Sequence, residues 1–235
     1  MAELFGECIP FLSHTKIIKE YIVKVLAING SPRKTKNTGQ LLGRITDGAA
    51  STGAEVELVH LRDYSYTGCI SCFACKLPGG PSYGRCAVRD GLTSVLDKAH
   101  AADVVVLGAP VYFGSESGFM RDFMERFWFQ YYLYSTMKPP LSPKKKATAL
   151  VYTMNIPEDT MVQYGPAAVV ERAKGFMTAL FGQCDVLLSC DTLQFDDYSK
   201  YETDLFDDAA KRKRHDEVFP QELEKAFALG KHLAG

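Results

Sequence analysis

Two stretches of this chain carry side chains of the kinds that do chemistry, and they suit different partners. The first is Asn29-Gly30-Ser31-Pro32-Arg33-Lys34-Thr35-Lys36-Asn37-Thr38, which holds hydroxyls, amides and cations and no acid. Placed after a strand and before a helix, such a loop turns backbone N–H groups and the positive end of the helix dipole toward an anion. Its Ser, Thr and Asn side chains add further donors. The plainer alternative is a strand–turn–helix capped by Asn37 or Thr38. The second stretch is Cys69-x-x-Cys72-x-x-Cys75, with Cys86 after ten intervening residues that include Pro78, Gly79, Gly80 and Pro81. Three thiolates at that spacing can wrap one corner of a small cluster, and a pliant loop can bring Cys86 back as a fourth soft ligand. Such a set suits iron–sulfur or zinc; free or redox-active thiols are the third reading.

The loop at Gly30 is neither a Walker A loop, lacking Gly-Lys-Ser/Thr at the required distance, nor a dinucleotide fingerprint, lacking a second glycine two positions on. A loop that uses hydroxyls in place of glycines fits a terminal monophosphate better than a bridging pyrophosphate. FMN carries such a phosphate.

The elements that must position these groups follow from hydrophobic periodicity. Residues 23–28 form a short apolar run ended by turn formers, read as a buried strand. Further strands are predicted over residues 55–60, 103–108, 146–153 and 185–190, and helices over 38–51, 90–100, 118–132 and 166–181. The helix at Pro166 starts with proline in its first turn. This is βαβ alternation repeated, with connections long enough to cross over between parallel strands, and it predicts a three-layer, doubly wound α/β domain. Ligands in such folds bind beyond the carboxyl ends of the strands, where strand order reverses. The loops after Ile28, Gly108 and Thr153 are therefore the ones to read.

The loop after the third strand, Gly108-Ala109-Pro110-Val111-Tyr112-Phe113-Gly114, is rich in small residues around an aromatic pair. Backbone N–H groups in such a loop can approach a flat ring and tune its electronics; a surface loop covering the sheet edge is the alternative. Asn155, after the fourth strand, is a candidate polar contact beside the ring. Together, Asn29-Gly30-Ser31-Pro32-Arg33-Lys34, Asn37-Thr38 and Gly108-Ala109-Pro110-Val111-Tyr112 resemble the NADPH-dependent FMN reductase family, and most of all its iron–sulfur flavoprotein branch. The resemblance covers roughly residues 23–190. It implies a flavodoxin-like five-stranded parallel sheet of order 2-1-3-4-5 with FMN at its carboxyl edge. The phosphate would be held by Ser31, Arg33, Asn37 and Thr38, the ring by Pro110, Val111, Tyr112, Phe113 and Gly114. The family usually forms homodimers or homotetramers. Cys69, Cys72, Cys75 and Cys86 would correspond to the branch's four [4Fe–4S] ligands, although the last gap is longer here.

Composition narrows the class. The chain has 235 residues and a net charge of −1, which gives no electrostatic case for nucleic acid or an anionic membrane. It has no 18-residue apolar run and no signal-peptide layout, so a cytoplasmic protein is expected, its seven cysteines acting as ligands, redox groups or core residues. Cys184 and Cys190 read as core residues. The expected layout is an extension over 1–22, where Ser13 or Thr15 caps a helical turn and Cys8 is uninformative. A flavin-binding domain follows over 23–190, with a cysteine-rich loop at 66–88, and then a tail over 191–235. In the tail, residues 196–201 read as surface chain, residues 207–233 as helix broken at Pro220, and Lys211-Arg212-Lys213-Arg214-His215 as a solvated face. The aromatic run at 127–134 reads as a subunit interface or a lid over the flavin, with core packing as the alternative.

The function these readings support is an FMN-dependent oxidoreductase. It would take electrons from NAD(P)H or a ferredoxin and pass them to a quinone, free flavin or other acceptor. One rival is a non-catalytic flavin and iron–sulfur electron carrier. Another is a zinc-binding interaction module on a flavodoxin-like scaffold.

Overall fold

The computed structural model describes residues 21–235. The extension expected over residues 1–22, with its capped turn and Cys8, therefore lies outside the described residues apart from Tyr21 and Ile22.

Five parallel strands form the sheet: β1 (Lys24–Asn29), β2 (Glu55–His60), β3 (Val104–Tyr112), β5 (Ala147–Thr153) and β6 (Asp185–Ser189), in the order β2-β1-β3-β5-β6. A two-residue strand, β4 (Ser115–Glu116), pairs antiparallel with the end of β3 and lies off this path. With β4 set aside, this is the flavodoxin-like order 2-1-3-4-5. The first strand pairs on both sides, Ala27 with Leu58 and with Val106, so the strand order reverses beside it.

Between the strands run α1 (Asn37–Ala50), α2 (Leu92–Ala101), α3 (Gly118–Phe129) and α4 (Pro166–Phe181). The middle strand is almost wholly apolar because both its faces are covered. Val104 and Val106 pack with Leu41, Leu42 and Ile45 of α1, whereas Val105 and Leu107 pack with Leu92, Phe123, Phe127 and Met177 on the opposite side.

Past its expected end at Gly108, β3 continues, because Ala109 and Pro110 still pair with Tyr152 and Thr153 of β5. It then folds back through Phe113 (φ 50°) and Gly114 (φ 78°) into β4. Two positive φ values between paired strands make the tight, twist-compatible hairpin turn for which Gly114 is suited.

The tail completes a layer. It forms α5 (Asp208–Glu217) and α6 (Phe219–Ala234), with the break at Val218 and Pro220 in the first turn of α6. Phe219, Ala226 and Leu233 join the α1 side of the core. Helices α1 and α6 approach until a β-carbon on Gly48 would lie 2.0 Å from the Phe227 carbonyl oxygen, and one on Gly230 would lie 2.0 Å from that of Ile45. Only glycine permits backbones so close. Among the described residues no helix is long and apolar enough to cross a membrane.

Candidate functional site

The loop from β1 to α1 is built by its own short-range bonds. The Ser31 amide donates to Asn29 Oδ1 at 2.8 Å, and Ser31 Oγ accepts from the Arg33 amide at 3.1 Å. From the other side, Ser117 Oγ donates to the Gly30 carbonyl at 2.6 Å, which ties this loop to the start of α3. The helix it feeds is bare at its entrance: Lys36 in the N-cap position makes no side-chain cap, and the first turn carries no acid. An uncapped helix end keeps its leading N–H groups available for an outside acceptor.

That end opens on a cavity of about 320 Å³, lined by Ser31, Arg33, Lys36, Asn37 and Thr38 on one side and by Pro110, Val111 and Tyr112 on another. Thr153, Met154 and Asn155 from the end of β5 close the floor, with Thr192, Gln194 and Phe195 beyond. Thr38 Oγ1 and Thr153 Oγ1 lie 2.8 Å apart, both residues buried. Eight of the ten residues expected around the flavin thus meet at one cavity. Phe113 and Gly114 are not in its wall, and the Phe113 side chain is fully exposed at the hairpin tip.

Sequence reasoning missed the wall made by residues 192–195. Arg33 Nη1 donates to the Gln194 carbonyl at 2.7 Å, Asn37 Nδ2 to that of Leu193 at 3.0 Å, and Lys36 pairs with Asp196 at 2.6 Å. These residues follow the carboxyl end of β6, so the rule that pointed to the loops after the other strands applies to them as well. Lys211 also departs from expectation. Within a run expected to be solvated it is buried and bonded to the Asn155 carbonyl at 2.9 Å, to Asn155 Oδ1 at 2.5 Å and to Asp191. Arg214 of the same run pairs with the buried Glu222.

On the Tyr112 side of the cavity, the hairpin is pinned from beneath. Tyr152 Oη donates to Glu116 Oε1 at 2.8 Å, and both residues are buried. Burial, the Glu116 charge and this bond all push the Tyr152 phenol far up, so it stays neutral and donating.

Cys69, Cys72, Cys75 and Cys86 line a second, much smaller cavity of about 20 Å³ together with Phe73, Arg126, Phe129 and Gln130. Ser71 and Phe73 take left-handed backbone (φ 54° and 57°), which turns the chain sharply between successive cysteines. The loop closes through the Gly84 amide, which donates to the Cys75 carbonyl at 3.0 Å and returns Cys86 to the others. Cations attend the thiols. Buried Arg126 directs Nε to Cys86 Sγ at 3.3 Å, and Lys76 caps the carbonyls of Phe129 and Tyr132. Burial pushes the Cys75 thiol up while Lys76 pulls it down. Four soft donors, with neither imidazole nor carboxylate in the cavity wall, fit a thiolate-ligated cluster in kind. They are not drawn into a closed site: among the described residues no three His, Cys, Asp or Glu form a ready metal-binding group.

The aromatic run divides. Phe127, Trp128 and Tyr131 belong to the core, and Phe127 stacks on Phe181 at 5.1 Å. Phe129, Tyr132 and Tyr134 instead wall a groove of about 580 Å³ beside Cys69. Cys184 and Cys190 are buried in the core, as expected.

The model of a family described as NADPH-dependent FMN reductase matches residues 23–156. An iron-sulfur flavoprotein of Archaeoglobus fulgidus is 39% identical over 104 residues, 44% of this chain and 48% of that protein. An iron-sulfur flavoprotein of Methanocaldococcus jannaschii is 36% identical over 104 residues, 44% of this chain and 51% of that one. The matched part is thus about half the length of these curated relatives. Among solved structures, an azoreductase from Bacillus anthracis superposes over 90% of this chain and 100% of its own with a TM-score of 0.62 at 15% identity, which shows the shared fold.

Proposed function

Because the chain belongs to the NADPH-dependent FMN reductase family, we propose that it is an FMN-dependent oxidoreductase working with NAD(P)H. The observation that carries this reading is the uncapped, acid-free entrance of α1 opening on a polar cavity whose other wall is the backbone at Pro110, Val111 and Tyr112. A phosphate fits the first side and a flat ring the second. In this proposal the leading N–H groups of α1, with Ser31, Asn37 and Thr38, hold the phosphate, and Arg33 offsets its charge. Pro110, Val111 and Tyr112 border the ring, and Asn155, fixed by Lys211, presents its amide from the floor. Phe113 and Gly114 act by forming the hairpin turn rather than by touching the ring.

The chemistry supplied by bound FMN is acceptance of hydride from a reduced nicotinamide and return of two electrons to a quinone, flavin or similar acceptor. The chain's residues bind and orient. No side chain need shuttle a proton, since solvent can protonate the acceptor.

The shared cavity of Cys69, Cys72, Cys75 and Cys86 favours a second component, an iron–sulfur cluster relaying electrons to or from a partner such as a ferredoxin. The matched archaeal relatives are iron-sulfur flavoproteins, which supports the same reading. A homo-oligomer working in the cytoplasm is part of the proposal.

Titration of the protein into FMN, followed by anaerobic mixing with NADPH or NADH, tests the reading. Quenching of FMN fluorescence and rapid bleaching by either nicotinamide support the enzyme. Bleaching by reduced ferredoxin alone would make the protein an electron carrier, and an absence of quenching would overturn the flavin site.

A further inference from the structure

We propose that Gln130, with Arg126, supplies hydrogen-bond donors to the sulfur shell of the group held by Cys69, Cys72, Cys75 and Cys86, and that Gln130 thereby makes that group easier to reduce. This rests on the cluster reading above.

Gln130 ends α3 and is 2% exposed. Its Oε1 accepts from the Cys86 amide at 3.1 Å. That bond fixes the orientation of the side-chain amide, because the flipped form would set two donors against each other. The Nε2 group is therefore a committed donor, and it is buried with no partner among the described residues. It lines the same cavity as the four cysteines. Buried donors are ordinarily satisfied, so an orphan on a residue that borders four sulfurs is a donor that lacks its acceptor.

Arg126 shows the completed form of this arrangement. Its Nε already points at Cys86 Sγ, while its other nitrogens are held by Asp90 at 2.6 Å, the Thr67 carbonyl at 3.2 Å and the Val88 carbonyl at 3.1 Å. The guanidinium is thus locked in place and its Nε is left to the sulfur. Gln130 also borders a polar cavity of about 370 Å³ lined by Arg85 and Arg89, and an acceptor bound there is the competing partner for Nε2. The two partners have different consequences. Adding an electron to a thiolate-ligated cluster increases negative charge on its sulfurs, so N–H donors to sulfur stabilise the reduced form more and raise the potential. A donor turned toward the polar cavity would leave the potential unchanged.

The experiment uses the full chain, loaded with FMN and reconstituted anaerobically with iron and sulfide. Wild type is compared with Gln130→Met, which removes donor and acceptor, and Gln130→Glu, which keeps the acceptor for the Cys86 amide. Iron and sulfide are quantified, and the cluster potential is followed by paramagnetic resonance at about pH 8.5. The expected result is equal iron loading and an unchanged flavin potential. At the wild-type midpoint the ratio of reduced to oxidised cluster should fall about tenfold in Gln130→Met, equivalent to ~59 mV for one electron, and further in Gln130→Glu. Equal potentials at equal loading would overturn the assignment and leave the cluster reading intact. If wild type takes up no iron, the cluster reading falls and this assignment falls with it. If Gln130→Met does not fold, Gln130→Glu decides by the same criterion.

Discussion

The Lys211 ammonium, carried by a helix near the end of the chain, donates to both the main-chain and side-chain oxygens of Asn155, 2.9 and 2.5 Å away. Asn155 Nδ2 in turn donates to Gln194 Oε1 at 2.6 Å, and both residues line the proposed flavin cavity. A lysine outside the cavity wall thus fixes two residues of that wall. Lys211→Met leaves Asp191 and the Asn155 oxygens without their cation. We expect a loss of ~2 kcal/mol in stability, less than for a fully buried pair because Asp191 is partly exposed. FMN affinity should fall about tenfold, equivalent to ~1.4 kcal/mol. Urea unfolding and fluorescence quenching measure the two effects, and unchanged affinity would show that the wall holds its shape without Lys211.

Thr38 and Thr153 share a buried hydroxyl contact at the mouth of α1. Thr38→Ala removes one proposed phosphate donor and leaves Thr153 without this partner. FMN should bind roughly tenfold more weakly, as expected for one hydrogen bond to a charged group. Thr38→Ser restores the hydroxyl and should recover most of the affinity. Equal binding by all three proteins would remove Thr38 from the site.

Tyr152→Phe deletes the donor that satisfies buried Glu116 beneath the hairpin. An unsatisfied buried acceptor costs ~1–3 kcal/mol. Glu116 then keeps the Ser115 hydroxyl, which donates to Oε2 at 3.2 Å, and a distant pairing with Arg121 at 3.9 Å. We expect lower stability and faster proteolytic nicking at Phe113, with little change at the phosphate side. A denaturant midpoint equal to wild type would contradict this.

At the opposite end of the sheet, Lys146 donates to the carbonyls of His100 and Ala102, and burial, aided by the nearby Lys144 charge, pushes its ammonium down to about 8. In the unfolded chain a lysine titrates near ~10.4, so that state binds the proton more tightly. Charging Lys146 therefore penalises the folded state fully below about pH 8, and the penalty fades as pH rises toward the unfolded value. Relative to Lys146→Met, wild type should gain ~2–3 kcal/mol between these limits. Parallel denaturation curves across that range decide it, and a constant difference would refute the lowered value.

Replacing Cys72 or Cys75 with Ser should abolish iron retention after anaerobic reconstitution while FMN still quenches, because the proposed flavin cavity shares no lining residue with the cysteine cavity. Metal content by mass spectrometry separates iron from zinc in the wild-type protein. Full iron retention in both variants would remove these thiols from the ligand set.

The local grammar of the chain was enough to specify the layers and the two reactive loops. Apolar runs ended by Asn29-Gly30-Ser31-Pro32, or covered on both faces like residues 104–107, define buried parallel strands whatever lies far along the chain. Cysteine spacing and a loop free of acids are likewise visible without coordinates. Local pattern could not supply the far wall of the proposed flavin cavity at residues 192–195, the inward turn of Lys211 and Arg214 from a run of cations, or the pressing of Gly230 against α1. Each of these depends on partners far along the chain or on a counter-charge that only the fold brings in. A lysine in a polar helix reads as solvated until the fold sets Asn155 and Asp191 beside it. Likewise, Gln130 reads as a helix end until the cysteine loop closes over it and sets the Cys86 amide on its side-chain oxygen.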